Sequence, residues 1–229
     1  MWAVVPLKSP DNAKSRLAQV LAPPARRALF FAMAEHVLRT LATTPGLERT
    51  LVVTSSPEVG RFAAALGARF LHQTTEAGTA QACRFALGSG LLDPQAPVLF
   101  VSGDLPLASS NELGALLRRA ESMPTRPSIV VAPDRHRQGT NALWCSASHV
   151  VTPSFGTGSF ARHSEQAHAI GVAVAIHEAT DLALDIDEPS DLRHLREVLT
   201  AVRGRSAAHR AAAPNWNRWL EALEPVTAA

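Results

Sequence analysis

Hydrophobic and polar positions along the chain switch between two periods. Short apolar runs of strand length occur at Trp2–Leu7, Thr50–Thr54, Ala68–His72, Val98–Val101, Ser128–Ala132, Asn141–Cys145 and Val172–His177. Between them lie longer stretches whose apolar residues recur at helical spacing, which predicts helices over Pro24–Thr43, Pro57–Leu66, Ala77–Leu87, Ser109–Glu121, Gly158–Ala169 and Pro189–Val202. In the first of these, Leu29, Phe30, Met33, Val37, Leu38 and Leu41 fall on one stripe. Ser109-x-x-Glu112 reads as a capping box, and Pro189 suits a first helical turn. Strands and helices alternating in this way predict the α/β class, a mostly parallel sheet covered by helices.

Composition narrows the picture. The 229 residues are 46% hydrophobic and 18% charged, enough apolar material for a single large core and too much for a disordered chain. A net charge of +2 without a long run of Lys and Arg excludes a general nucleic-acid binder, so any attraction to phosphate must be local. No apolar stretch reaches the roughly 18 to 20 residues that span a bilayer, and Lys8 arrives before any signal-peptide pattern, so a cytoplasmic protein without a membrane partner is the expectation. Cys83 and Cys145 have no CxxC or zinc-spaced His beside them and read as small buried hydrophobes. Residues Gly204–Ala213 are linker-like in composition. Beyond them, Trp216, Trp219, Leu220 and Leu223 predict a short amphipathic helix that docks on the body or on a second subunit of a homodimer.

Candidate chemistry gathers at strand ends. The first apolar run breaks into Lys8-Ser9-Pro10-Asp11-Asn12-Ala13-Lys14-Ser15-Arg16-Leu17, so one strand delivers Lys8, Lys14 and Arg16 into one loop. In a parallel sheet that loop opens where ligands bind, and three cations there form a candidate polyphosphate site; taken singly, each reads equally well as solvated surface. The run Val98–Val101 continues into Ser102-Gly103-Asp104-Leu105-Pro106-Leu107, where Asp104 on a stiff support is a candidate metal ligand. In Leu184-Asp185-Ile186-Asp187-Glu188-Pro189, an extended backbone puts Asp185 and Asp187 on one face. Mg²⁺ takes oxygen ligands, commonly a carboxylate or two plus substrate phosphates, so Asp104 with Asp185 or Asp187 would suffice. The competing reading is that one of these acids, Asp187 in particular, only caps the helix near Pro189.

Two loops are rich in small polar residues, one around Asp134-Arg135 and Gly139-Thr140-Asn141, the other Phe155-Gly156-Thr157-Gly158-Ser159-Phe160. The second precedes a helix, whose free N–H groups favour an anion, although such strings also make plain turns. His163, one turn later, reads either as part of this site or as a solvated helix residue. Neither a Walker A string nor GxGxxG is present. Cations before the first helix, an acid after a central strand and a late acidic pair would together bind a nucleoside triphosphate with Mg²⁺ and stabilise charge on its α-phosphate.

On these residues the chain resembles the phospholactate guanylyltransferase family of deazaflavin coenzyme F(420) biosynthesis, itself similar to the molybdenum-cofactor guanylyltransferase. The resembling segments are Val5-Pro6-Leu7-Lys8 with Ala13-Lys14-Ser15-Arg16-Leu17, Gly103-Asp104-Leu105-Pro106-Leu107, Pro133-Asp134-Arg135 with Gly139-Thr140-Asn141-Ala142-Leu143, Phe155–Phe160 with His163, and Leu184–Pro189, in family order. The resemblance implies a three-layer α/β/α fold of the nucleotide-diphospho-sugar transferase type with a mostly parallel mixed sheet. The expected organisation is a nucleotidyltransferase domain over residues 1–203, then a linker and C-terminal amphipathic segment over 204–229. The implied reaction transfers GMP from GTP to a three-carbon phospho-acid, 2-phospho-L-lactate, phosphoenolpyruvate or 3-phosphoglycerate, and releases pyrophosphate. Family roles carried to matching positions put the acceptor at Thr140, Gly156 and Ser159, and the nucleotide at Lys8, Lys14, Arg16 and Gly78. Lys14, Arg16 and Asp104 are the implied catalytic groups, with Mg²⁺ on Asp104, Asp185 and Asp187.

One segment departs from the family pattern. Where the family has Gly-Leu-Asn, this chain reads Gly78-Thr79-Ala80-Gln81, which leaves Thr79 or Gln81 to replace the lost amide. Two other readings compete. A molybdopterin or sugar-phosphate nucleotidyltransferase would open with a glycine-rich phosphate loop, but no glycine precedes Gly46. A catalytically silent nucleotide-binding protein has less need of the three acids.

Overall fold

The computed structural model describes residues 1–11, 13–75, 78–125 and 127–203. The linker and amphipathic helix expected over 204–229, with Trp216 and Trp219, lie outside the described residues, as does Ala77 at the start of one expected helix. In chain order the elements are β1 (Trp2–Pro6), a 3₁₀ turn (Ser15–Gln19), α1 (Pro23–Thr43), β2 (Arg49–Thr54), α2 (Pro57–Ala65), β3 (Arg69–His72), α3 (Thr79–Leu87), β4 (Val98–Val101), α4 (Ser110–Glu121), β5 (Ser128–Pro133), β6 (Thr140–Cys145), α5 (Ser159–Ala169), β7 (Ala173–Ile176), α6 (Thr180–Ala183) and α7 (Pro189–Arg203). Among the described residues every strand and helix expected from the hydrophobic pattern is present, its ends shifted slightly. The 3₁₀ turn and α6 were not expected, because each is too short to show a period.

The strands form one sheet in the order β3-β2-β1-β4-β6-β5-β7. All run parallel except β6, which is antiparallel to both β4 and β5. Alternation along the strands sorts the core into two layers. Val5, Val52, Leu99, Val101 and Val130 face α1, α2 and α4, whereas Val4, Leu51, Val53, Phe100 and Val131 face α3 and α5. Each such side chain, fully removed from water, stabilises the fold by about 1.5–3 kcal/mol. Cys83 and Cys145 are buried in the second layer, where desolvation pushes both thiols up, Cys145 to about 12, so they are inert packing residues.

The helix starts follow local chemistry. Ser56 Oγ accepts from the Val59 N–H at the start of α2, and Ser109 Oγ from the Glu112 N–H at the start of α4. The capping box is only half used, since the Glu112 carboxylate lies 3.4 Å from His177 Nε2. A third cluster, Leu17, Leu21, Leu29, Met33, Leu184, Ile186, Leu192, Leu195 and Leu199, stands apart from both layers. It packs the 3₁₀ turn and α1 against α7 and the segment that precedes it. No helix among the described residues is long and apolar enough to cross a membrane.

Candidate active site

Strand order decides where a site can form. The chain turns one way from β1 to β2 and β3, then returns to place β4 on the other side of β1, so the carboxyl ends of β1 and β4 lie at a topological switch point. Because β6 runs antiparallel, its first residues arrive at the same edge, and the Ser102 N–H donates to the Asn141 carbonyl at 2.9 Å. A cleft of about 580 Å³ opens there, and its lining includes Lys8, Lys14, Arg16, Asp104, Thr140, Gly156, Asp185 and Asp187. Residues distant in sequence and singled out for chemistry therefore meet.

Lys14 is the pivot. It immediately precedes the 3₁₀ turn in the left-handed conformation, φ 56 and ψ 37, which costs about 1–2 kcal/mol for a residue with a Cβ. Its side chain is 7% exposed, and its ammonium makes a close ion pair with Asp104 Oδ2 and another at 3.1 Å with Asp187 Oδ1. Burial alone would lower the Lys14 pKa, but the two carboxylates overcome it and hold the group above its ordinary value. For Asp104, burial works to raise the pKa, and Lys14 with the Ser102 hydroxyl reverses the sign. Asp104 Oδ1 is nevertheless buried without a hydrogen-bond partner among the described residues.

The late acids behave as the alternation predicts. Leu184 and Ile186 are buried in the third cluster, while Asp185 and Asp187 line the cleft. The Ile186 N–H donates to the Asp104 carbonyl at 3.3 Å, tying the two acidic segments together. Burial first, then the charges of Asp104 and Asp187, push the Asp185 carboxyl up to about 7. Asp187 does not cap α7. That role falls to Asp191, whose Oδ2 accepts from the backbone N–H groups of Asp187 at 2.8 Å and Glu188 at 2.7 Å, leaving the Asp187 carboxylate to Lys14. Arg135 holds the other oxygen of Asp191 at 2.6 Å.

Gly103 sets the height of Asp104 above the sheet. A Cβ at Gly103 would lie 2.2 Å from Leu7 Cδ2 and 3.4 Å from Val5 Cγ1, both in the packed core. Gly103→Ala is expected to destabilise the protein by about 1–3 kcal/mol in urea unfolding. In a Leu7→Ala background, itself less stable, the further cost of Gly103→Ala should shrink because the space is vacated; a Gly103→Ala protein as stable as the parent would show that no such clash exists.

A polar wall lines the same cleft. Asp134 Oδ1 accepts from the His136 and Gln138 N–H groups at 3.0 and 2.9 Å, and its Oδ2 accepts from the Gly139 N–H at 2.7 Å, a turn that delivers Thr140 to the cleft. Thr140 Oγ1 lies 3.0 Å from Nδ1 of His163, a fully buried residue and not the solvated one that its helix position allowed. Burial, and secondarily Arg162, push His163 down to about 4, so the ring is neutral. The Arg162 guanidinium donates to the Ser154 and Thr157 carbonyls, both at 2.7 Å, fastening the loop that carries Gly156. Gly156 has φ 112, a backbone region that side chains rarely enter.

Not every expected residue reaches the cleft. Gly78 is exposed at the N-cap of α3 and does not line it, whereas its neighbour Thr79 does; Gln81 is exposed and lies outside the lining. Ser159 is fully buried in the first turn of α5, outside the lining, with its hydroxyl unpaired among the described residues. Arg16 lines the cleft with a side chain 66% exposed, 3.8 Å from Glu188, and Lys8 is exposed at the same rim. Sequence reasoning singled out the loop of Arg135 and Asn141 without giving either a role, and it missed the roles of Ser102 and Asp191. Asn141 Nδ2 donates to the Leu182 carbonyl at 2.9 Å and to Asp185 at 3.4 Å. Asp191 did leave a signal, an acid in the first turn after Pro189 that can reach back to free N–H groups.

Comparison with known proteins points the same way. Residues 1–206 match the family described as "Guanylyl transferase CofC like". A phosphoenolpyruvate guanylyltransferase of Conexibacter woesei is 39% identical over 208 residues, covering 91% of this chain and 92% of that protein. A 3-phospho-D-glycerate guanylyltransferase of Phenylobacterium zucineum is 34% identical over 215 residues, with 89% and 97% covered. Among solved structures, a nucleotidyl transferase from Methanothermobacter superposes with a TM-score of 0.60 at 16% identity, covering 88% of this chain and 98% of that one, a likeness of fold. A Desulfovibrio desulfuricans protein named for the nucleotide-diphospho-sugar transferases gives 0.70 at 14% identity, with 97% of each chain covered. The mostly parallel sheet read from the strand pattern and the three-layer fold implied by the resemblance are thus shared with solved nucleotidyltransferase structures, and the chain belongs to the CofC-like guanylyltransferase family.

Proposed function

We propose that the protein transfers GMP from GTP to a three-carbon phospho-acid with release of pyrophosphate, in deazaflavin coenzyme F(420) assembly. The observation that carries this reading is Lys14 bridging Asp104 and Asp187 in one cleft whose lining also includes Lys8, Arg16, Thr140 and Gly156. The triphosphate takes the region of Lys8 and Arg16, and Thr79, which lines the cleft, replaces the amide of the family pattern. The phospho-acid takes the polar wall. Its phosphate oxygen attacks the α-phosphorus of GTP in line; a P–O bond forms, the bond to the β-phosphate oxygen breaks, and pyrophosphate leaves with the electron pair. The attacking oxygen is already an anion, so no general base is required, and catalysis reduces to alignment and charge neutralisation by Lys14 and Arg16.

The acids fit a magnesium ion by chemistry. Asp104 Oδ1 is a buried oxygen without a partner, and Asp185 and Asp187 line the same cleft. Three carboxylates against one buried ammonium leave negative charge for a divalent cation to balance. Among the described residues no three acidic, His or Cys side chains converge closely enough to hold a metal on their own. That suits an ion that completes its shell with substrate phosphates and water. When bound, Mg²⁺ would screen the phosphates from each other and from the acids.

The test is pyrophosphate release with Mg²⁺, each of the four nucleoside triphosphates and each of the three phospho-acids. GTP paired with phosphoenolpyruvate, 3-phosphoglycerate or 2-phospho-L-lactate is expected to give product that the next transferase of the route consumes. No pyrophosphate from any pair would sink the reading.

A further inference from the structure

We infer that His163 is a positioning residue for the acceptor: it holds the Thr140 hydroxyl with its proton directed into the cleft, so that Thr140 donates to an oxyanion of the phospho-acid. This rests on the placement of the acceptor at Thr140 and deepens it.

The ring's own bonds decide its tautomer. The Ser154 N–H donates to His163 Nε2 at 2.9 Å, so that nitrogen carries a lone pair. In the neutral ring the proton then sits on Nδ1, which donates to Thr140 Oγ1 at 3.0 Å. Thr140 Oγ1 is thereby an acceptor toward the protein, and its own proton has no acceptor among the described residues. Thr140 is 5% exposed, and it lines the cleft. A nearly buried hydroxyl with an unspent proton at a cleft wall is a donor awaiting an anion. Were the ring reversed or replaced by a group that only accepts, Thr140 would turn its proton inward and face the acceptor with lone pairs.

The arrangement around the ring keeps this orientation. His163 is fully buried, with Phe155 packed edge-on at 5.3 Å between ring centroids. Gln166 donates to Ser154 Oγ at 2.9 Å, and Arg162 bonds the carbonyls on either side of Gly156, so the segment that fixes Nε2 is itself clamped by the first turns of α5. One imidazole therefore ties the loop of Gly156 to the hydroxyl of Thr140, the two acceptor-facing elements of the cleft.

The experiment uses steady-state kinetics on the full chain, varying acceptor and GTP separately. Thr140→Val tests the placement of the acceptor and is expected to raise its KM about tenfold with GTP KM unchanged. His163→Gln puts an amide near Nε2 that can still accept from Ser154 but removes the donor to Thr140; it is expected to raise acceptor KM about fivefold to tenfold with GTP KM within twofold. His163→Asn puts an amide N–H near Nδ1 and is expected to restore most of the acceptor affinity. Combining His163→Gln with Thr140→Val should add nothing to Thr140→Val alone. If Thr140→Val leaves acceptor KM unchanged, the acceptor placement falls and this inference with it. If Thr140→Val raises acceptor KM while His163→Gln does not, while the two effects multiply, or while the Gln and Asn variants are equally impaired, the placement stands and His163 is only a packing residue.

Discussion

Lys14→Met is expected to cost about 3–5 kcal/mol of stability and at least 10²-fold in turnover. The methionine keeps the length and apolar stem of lysine, so the core loses little packing. What it removes is a 7%-exposed cation shared by Asp104 and Asp187, with Asp185 beside them. The carboxylates are then left facing one another without compensation, which is far more damaging than deleting a surface ion pair. In a domain of this size the melting temperature should fall by roughly 6–20 °C. Lys14→Arg keeps the charge but cannot place one point charge between two oxygens, and it should recover more stability than turnover. A Lys14→Met protein that melts with the parent would show that the ion pairs hold nothing together.

Asp104→Asn separates stability from chemistry. The substitution replaces a desolvated charge by an isosteric amide and leaves Lys14 paired with Asp187 at 3.1 Å, so unfolding free energy should change by no more than about 1–2 kcal/mol. Turnover, by contrast, should fall by at least 10²- to 10³-fold, because the buried oxygen that has no protein partner is lost as an anionic ligand. The Mg²⁺ concentration for half-maximal rate in the residual activity should rise at least tenfold. Turnover close to the parent's would remove Asp104 from the metal site.

How far the sequence discloses this protein depends on the range of the forces involved. The strands and long helices are set by local periodicity, and the stripe Leu29 to Leu41 is buried as its spacing requires. The acids at 185 and 187 were legible for the same reason, since Leu184 and Ile186 between them declare which face is inward. The antiparallel direction of β6 was not legible, and with it went Asn141 and Ser102, whose roles arise only when a reversed strand brings residue 141 against residue 102. Lys14 was legible as a cation but not as a buried bridge, because that depends on contacts 90 and 173 residues away. His163 was ambiguous for the opposite reason. A histidine within a helix carries no mark of what lies above it, and here a loop and a strand start close over it.

The third apolar cluster has a consequence for the time at which the enzyme comes into being. It fastens the 3₁₀ turn after Lys14 to the acid segment and α7, across a separation of 173 residues between Lys14 and Asp187. On the ribosome, the first six helices and all seven strands emerge before Leu192, Leu195 and Leu199 can close that cluster. A chain that ends short of α7 therefore already carries Lys14, Asp104, Asp185 and Asp187, but not the leucines that pack the acid segment against the 3₁₀ turn. The packing that sets the acid segment against the turn after Lys14 thus closes only after α7 has been made, later than the sheet that carries the rest of the cleft.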